Sequence, residues 1–344
     1  MTSTITVQPS GRSFTAAEGE NLLDAALRQS VLLPFGCQAG ACGVCKCRMS
    51  AGSVQHGEHL PKALSIDEEK AGWILPCVAR VASPAIVLES RLVADKDAPP
   101  IRQFAARITA LERLAPDVLR VHLYNAEALA WRAGQYLRCS LPDGTRRGYS
   151  LANIPPAGGT SAELELHIRR MAGGQFTSQL FESAKVGDQW QVEGPLGSFT
   201  LAAGNAPAIL LASGTGFAPI KAIIELMRAS GDTRPTTLYW GGRRPQDLYL
   251  DAWVREQCAA MPNLRYVPVI SDALPEDGWS GRSGFVHRAV LEDAPDWAAS
   301  QVFVCGSPVV VDAARSDFIA AGLPATSFFA DAFTPAPPPK KPAQ

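Results

Sequence analysis

Four of the chain's eight cysteines fall within the stretch CQAGACGVCKC, from Cys37 to Cys47. Cys37, Cys42 and Cys45 follow the spacing Cys-x4-Cys-x2-Cys, and Cys77 stands alone far downstream. Such crowding needs a reason. The opening MTSTITVQPSGRSF has neither a basic start nor an apolar core of the kind that directs export, so a cytoplasmic location is expected. Thiols there are kept reduced, which makes clustered cysteines metal ligands or redox groups before disulfides.

The spacing is that of plant-type [2Fe–2S] clusters. One loop curls around the irons and offers three thiolates, and a distant cysteine closes the fourth corner. Gly36, Gly40 and Gly43 are expected to give the loop positive φ angles and to bring backbone N–H groups close to sulfur. Structural zinc is the rival reading, but zinc sites usually present two close ligand pairs, not three cysteines and a distant one. Cys47 is read as a bystander, a small buried side chain that looks away from the cluster.

The 344 residues exceed one ordinary core, and 47% hydrophobic with 19% charged residues describes a globular chain. No apolar run is long enough to span a bilayer, and a net charge of −1 gives no footprint for nucleic acid or a membrane surface. Three zones follow one another. A cysteine-rich zone covers residues 1–94, and the charged, proline-bearing residues 95–103 form a linker. In residues 104–203 the run ELELHIRR alternates Leu164, Leu166 and Ile168 with Glu163, Glu165, His167 and Arg169, as in a half-buried antiparallel strand, and PDG and GG turns suggest a small barrel. Residues 204–334 alternate strands such as AILLAS, TTLYW, LRYVPVI and QVFVCG with helical stretches. In one of these Ile220, Ile223, Ile224 and Met227 fall at helical spacing, so a parallel α/β sheet is expected. Residues 335–344 form a proline-rich tail expected to be disordered.

Within the barrel zone RRGYSLAN places Arg147 and Tyr149 on one face of a strand, a cation for phosphate beside a ring for stacking. Downstream, Gly173 and Gly174 run into a helix whose first N–H groups suit a pyrophosphate. That combination has the shape of a flavin nucleotide site. GTGFAP then follows a strand and opens a helix, which suits a dinucleotide phosphate site at Gly214, Thr215 and Gly216, although Pro219 replaces a third glycine.

With CQAGACGVCKC, RGYSLAN, GGQFT, EGPLGSF, ASGTGFAPIKAIIE, YWGGRRPQDLYL and VFVCGSPVVVDAARSDF, the chain resembles the ferredoxin–NADP reductase superfamily, in the subgroup with an N-terminal ferredoxin domain. The likeness covers nearly all of residues 3–334. It is nearest to reductases of CDP-6-deoxy-sugar dehydratases and to reductase components of aromatic-ring oxygenases. It implies a multidomain fold: a β-grasp [2Fe–2S] ferredoxin domain, an antiparallel β-barrel FAD domain and an α/β parallel-sheet NAD(P) domain. It further implies Arg147 at the FAD pyrophosphate, Tyr149 against the isoalloxazine and Ser150 near the flavin's reacting nitrogen. His167, Ile168 and Arg169, then Gly174, Gln175, Phe176 and Thr177, complete the FAD site, with a solvent-facing position as the alternative for His167. Cys305 and Gly306 of CGSP lie near the nicotinamide, where Cys305 positions the ring. Asp331 and Phe333 stand near the flavin, although here Phe333 is not chain-terminal.

The strand TTLYW ends in GGRR, with no acid for the ribose diol. Arg243 or Arg244 is a candidate for a 2′-phosphate, Asp247 for the ribose, and the resemblance favours NADH while leaving NADPH open. The function implied is a monomeric, NADH-dependent flavin and iron–sulfur oxidoreductase that delivers electrons to a protein acceptor. That acceptor is an oxygenase component, or alternatively a deoxysugar dehydratase. A non-catalytic redox sensor is the reading from another class.

Overall fold

The structure, a computed structural model, describes residues 2–90, 99–140, 146–156 and 159–334. The PDG turn, linker residues 95–98 and the proline-rich tail lie outside the described residues. The chain divides into two compact units, the first holding residues 2–90 and the second spanning Pro99–Phe333.

The first unit is a β-grasp fold. Its five-stranded mixed sheet runs in the order Arg12–Ala17, Thr2–Gln8, Ala85–Glu89, Cys47–Ala51, Trp73–Ile74. Thr2–Gln8 pairs antiparallel with Arg12–Ala17 and parallel with Ala85–Glu89. Helix Leu22–Arg28 crosses the sheet and buries Leu22, Leu23, Ala25 and Ala26. Its start is fixed by Asn21, whose side-chain oxygen accepts from the Asp24 N–H at 2.8 Å. A second, short helix, Ile66–Lys70, begins with a reciprocal Ser65–Glu68 capping box. The cysteine loop occupies the stretch between the first helix and strand Cys47–Ala51.

The second unit contains two sheets. Six antiparallel strands form the first, in the order Arg146–Ser150, Tyr136–Ser140, Gln189–Leu196, Arg102–Ala115, Val118–Leu129, Ser161–Arg169. A bridge between Leu151 and Leu166 joins its two ends and closes a barrel. Ile108, Val121, Leu123, Leu137, Cys139, Leu166 and Ile168 fill the interior. The first of these strands starts at Arg102, inside the stretch expected as linker.

The second sheet is wholly parallel, in the order Arg282–Ser283, Leu264–Ile270, Thr236–Gly242, Ala208–Ser213, Gln301–Gly306, Phe328–Ala332. Helix Phe217–Ser230 packs on it through Ile220, Ile223, Ile224 and Met227, all with no exposed surface. Both central strands read as continuous apolar runs because both faces are covered. The reversal of strand order beside Ala208–Ser213 makes the carboxyl ends of that strand and of Gln301–Gly306 the natural ligand edge.

Candidate functional site

The four cysteines selected by spacing gather in the first unit as two pairs. Cys45 Sγ and Cys77 Sγ lie 3.4 Å apart. The Cys37 and Cys42 thiols are hydrogen-bonded to each other, and the Cys37 N–H points at Cys42 Sγ from 3.5 Å. The Ala39 N–H donates to Cys37 Sγ at 3.4 Å. Bonding with Cys42, with help from backbone N–H groups, pulls the Cys37 thiol down to about 5 despite burial. Cys42 and Cys45 are pushed up, each by its partner thiol and by burial. Crowded thiols that destabilise one another are relieved when metal replaces their protons.

Among the described residues no three His, Cys, Asp or Glu side chains converge as one ion requires. Two pairs instead suit two irons. Metal–thiolate bonds of about 2.3 Å at tetrahedral angles put paired sulfurs about 3.8 Å apart, close to the observed Cys45–Cys77 separation. The donor set therefore fits a [2Fe–2S] cluster.

One local expectation needs correction. Gly40 and Gly43 have φ of +66° and +70°, but Gly36 does not adopt a positive φ. Gly36 instead packs beside the cluster ligands, where an added Cβ would touch Cys42 Sγ at 3.4 Å. Strand pairing starts at Cys47 and Cys45 sits in the preceding turn, and residues two apart on a strand would in any case share a face, so alternation does not separate the two. Both are buried. What distinguishes Cys47 is its surroundings: burial alone raises it to about 12, with no contribution from another thiol.

In the second unit strand Arg146–Ser150 pairs Arg147 with Cys139 and Tyr149 with Leu137. Tyr149 is half-buried, its ring 5.2 Å from Phe176, which in turn lies 5.2 Å from Trp190. Helix Gln175–Glu182 begins at Gly174, and no side chain caps its first turn. Gly173 there has φ +70° and open space where a Cβ would stand. The Thr177 hydroxyl turns inward, accepting from Met171 N–H at 3.1 Å and bonding Gly174 O at 3.2 Å. The side chains of Ile168 and Phe176 point into the barrel. Both are barrel core, so only their backbones are available to a cofactor.

Ser150, Cys305 and Asp331, separated widely in sequence, meet. Ser150 Oγ lies 3.4 Å from Asp331 Oδ2, and Cys305 Sγ lies 4.0 Å from the same oxygen. Cys305 and Asp331 are direct neighbours across parallel strands. Burial and the Asp331 charge push the Cys305 thiol upward, so it stays protonated. The Phe333 N–H donates to Gly306 O at 2.8 Å, and its half-buried ring packs on the α/β core.

The loop Gly214–Gly216 is a 3₁₀ turn that leads directly into helix Phe217–Ser230. A Cβ on Gly216 would stand 2.2 Å from Cys305 O, so only glycine lets this loop pack against the end of strand Gln301–Gly306. Pro219 is buried in the first helical turn. Trp240 supports the loop from below, its indole N–H donating to Gly214 O at 3.1 Å and its ring stacked on Phe217 at 3.8 Å.

The polar face of strand Ser161–Arg169 differs most from expectation. His167 is 4% exposed, so it is not solvent-facing. It bonds Glu165 Oε1 at 2.8 Å through Nε2 and Tyr249 OH at 3.1 Å through Nδ1. Arg169 donates to Asp247 Oδ1 at 3.1 Å. Asp247 is buried, and its Oδ2 takes the N–H groups of Arg243 at 2.8 Å and Arg244 at 3.0 Å. The α/β lobe covers this strand, which periodicity alone cannot foresee.

Arg244 is clamped by Asp277 at 2.8 and 2.7 Å, and Arg243 reaches Asp272 at 3.2 Å. Sequence reading passed over Lys221, Tyr249 and these two aspartates. Lys221 alone left a signal, as a charge within the apolar run FAPIKAII.

Comparison with known proteins gives three family models in sequence order. These are a 2Fe-2S iron-sulfur cluster binding domain over residues 5–82, an oxidoreductase FAD-binding domain over 105–201 and an oxidoreductase NAD-binding domain over 210–316. The chain is 34% identical to the CDP-6-deoxy-L-threo-D-glycero-4-hexulose-3-dehydrase reductase of Yersinia pestis, covering 97% of this chain and 99% of that one. It is 34% identical to the reductase component DmpP of phenol 2-monooxygenase from Pseudomonas sp. strain CF600, covering 97% and 95%. The crystal structure of the Amycolatopsis cytochrome P450 reductase GcoB superposes with a TM-score of 0.80 at 34% identity, covering 97% and 99%.

Proposed function

The chain belongs to the family of iron–sulfur flavoprotein reductases that join a [2Fe–2S] ferredoxin domain to FAD- and NAD-binding domains, and we propose that it takes electrons from NADH and delivers them singly to a separate oxygenase component. The convergence of Ser150 and Cys305 on Asp331 carries this reading, because it joins the end of the flavin strand to the ligand edge of the nucleotide sheet. When bound, FAD supplies the needed chemistry, accepting a hydride's two electrons together and releasing them one at a time to a one-electron cluster.

The residues of the chain hold, orient and insulate. Tyr149 and the uncapped start of helix Gln175–Glu182 would hold the flavin nucleotide, with Arg147 on its phosphates. Gly214, Thr215 and Gly216 would admit the dinucleotide phosphates to the helix start behind them. Cys305, held protonated by burial and by the Asp331 charge, fits a role in seating the nicotinamide and not in attack. Asp331 fixes the Ser150 hydroxyl and the Cys305 thiol relative to each other. Cys37 with Cys42, and Cys45 with Cys77, would each hold one iron.

NADH is favoured over NADPH because Asp277 and Asp272 already occupy Arg244 and Arg243 and place negative charge where a 2′-phosphate would have to fit. An oxygenase acceptor is favoured by the phenol 2-monooxygenase and cytochrome P450 relatives. The dehydrase relative supports a deoxysugar dehydratase as the second reading. Anaerobic addition of NADH to the purified protein tests the core of the proposal: flavin and iron–sulfur absorption should bleach together, and bands that are absent or never bleach overturn it. Coupled turnover with an oxygenase component, compared with a dehydratase, then decides the acceptor.

A further inference from the structure

One turn into the helix that follows the Gly214–Gly216 loop, Lys221 leaves its own lobe. Its side chain is 5% exposed. The ammonium donates to Ala152 O at 2.9 Å and reaches Glu165 Oε2 at 3.4 Å, both on the barrel. It also bonds Glu225 Oε1 at 2.6 Å on its own helix, and the Trp253 ring lies 5.4 Å away. Three acceptors match the three protons of the group, leaving none for a ligand.

The placement of these acceptors matters more than their number. Ala152 stands two residues beyond Ser150, and its N–H donates to Glu165 O at 2.8 Å. The backbone at Ala152 is therefore held by the barrel through its N–H and by the α/β lobe through its carbonyl. Glu165 is also approached by His167 Nε2 at 2.8 Å and Arg120 Nε at 3.4 Å, and His167 reaches Tyr249 of the α/β lobe. A buried ion cluster adds little to stability compared with apolar packing, but it permits only one register between the surfaces it joins. Leucine or methionine would seal the same seam and let it slide.

We propose that Lys221 is a positioning residue for the redox step, a pin that locks the nucleotide loop to the flavin strand and so sets one distance between the two bound rings. The inference rests on the hydride-transfer reading above. Reacting atoms must come within about 3–3.5 Å, and a misplacement of about 1 Å costs roughly a hundredfold in rate. Lys221 touches neither ring in this scheme and acts only through Ala152, Glu165 and the helix it stands on.

The test uses the FAD- and cluster-loaded protein and the variant K221M/E225Q, which removes one charge of each sign and leaves Glu165 with Arg120 and His167. Stopped-flow reduction by NADH should slow by about ten- to a hundredfold, and the deuterium isotope effect with 4-deuterated NADH should rise, at unchanged FAD content. Without nucleotide, hydrogen exchange should quicken in segments 150–156 and 217–226 while the barrel core around residues 119–123 keeps its protection. K221R should fall between wild type and the double variant, since it keeps the charge in a different shape. If the double variant fails to load FAD, K221R decides alone, by slowed reduction at full FAD content. Wild-type reduction rates and exchange in whichever variant decides would overturn the inference. Failure of the wild-type flavin to be reduced by NADH would instead overturn the hydride-transfer reading itself.

Discussion

Ser150 Oγ lies 3.4 Å from Asp331 Oδ2 although 181 residues separate them, and Cys305 Sγ reaches the same oxygen from the adjacent strand. One carboxylate thus joins the last residue of the flavin strand to the ligand edge of the nucleotide sheet. Replacing it by an amide of the same shape should keep FAD bound while weakening a charge-assisted contact. Hydrogen bonds to charged groups are worth about 1.5–3 kcal/mol, which converts to roughly ten- to a hundredfold. D331N should therefore lower the rate of flavin reduction by NADH by that factor. Stopped-flow absorbance checks this, and an unchanged rate would remove Asp331 from the redox machinery.

Cys77 and Cys47 should behave oppositely although both are buried. Cys77 lies 3.4 Å from Cys45, whereas only burial perturbs Cys47. C77S should lose the iron–sulfur absorption yet retain NADH–ferricyanide activity, which needs only the flavin. C47S should keep the full spectrum and lose about 1 kcal/mol of stability from a buried hydroxyl. Visible spectra and iron analysis of the two proteins decide the matter. Cluster absorbance surviving in C77S would show the fourth ligand to be elsewhere.

How much of this was legible before folding depends on how local the cause is. The cysteine spacing was legible because a cluster imposes its geometry on one loop. Ile220, Ile223, Ile224 and Met227 were legible because one helix face meets one sheet. The fate of His167 was not: along its own strand it alternates as a solvent-facing residue should, and the arrival of Tyr249 from another lobe covers it. The contacts of Asp247 were hidden for the same reason, since its oxygens accept from backbone N–H groups and from an arginine far away in sequence. Nothing along a strand separates Cys45 from Cys47, because residues two apart would share a face and Cys45 sits in the turn before the strand.

Nucleotide preference should respond to the acids beside GGRR. Asp277 holds Arg244 through two short bonds, and Asp272 reaches Arg243 at 3.2 Å. D277N frees a guanidinium and removes a negative charge from the region where a 2′-phosphate would lie. Exposed charges are screened, so each substitution should raise the ratio of NADPH to NADH kcat/KM by only about threefold to fivefold. The double variant D272N/D277N should show a larger rise than either alone. Steady-state ferricyanide reduction with both nucleotides measures it, and an unmoved ratio would place the adenosine elsewhere.

Acid should loosen the seam between barrel and α/β lobe, and the sign follows from which state binds protons. Burial holds His167 below its ordinary range, against the pull of Glu165, so the unfolded chain takes up a proton first as pH falls below about 6.5. Burial would raise Glu165, but the His167 hydrogen bond and the Lys221, His167 and Arg120 charges outweigh it and hold the carboxyl at about 2. Its contribution is therefore complete above about pH 4.3 and is lost as pH falls toward 2. Glu225 runs the other way: burial raises it despite Lys221, so its stabilising protonation is lost as pH rises. Stability should fall from about pH 6.5 to 5 through His167, before Glu165 releases its hold and with Glu225 opposing the fall. Urea midpoints across that interval should decline in the wild-type protein and flatten in H167Q. An equal decline in both proteins would assign the acid sensitivity to groups outside this seam.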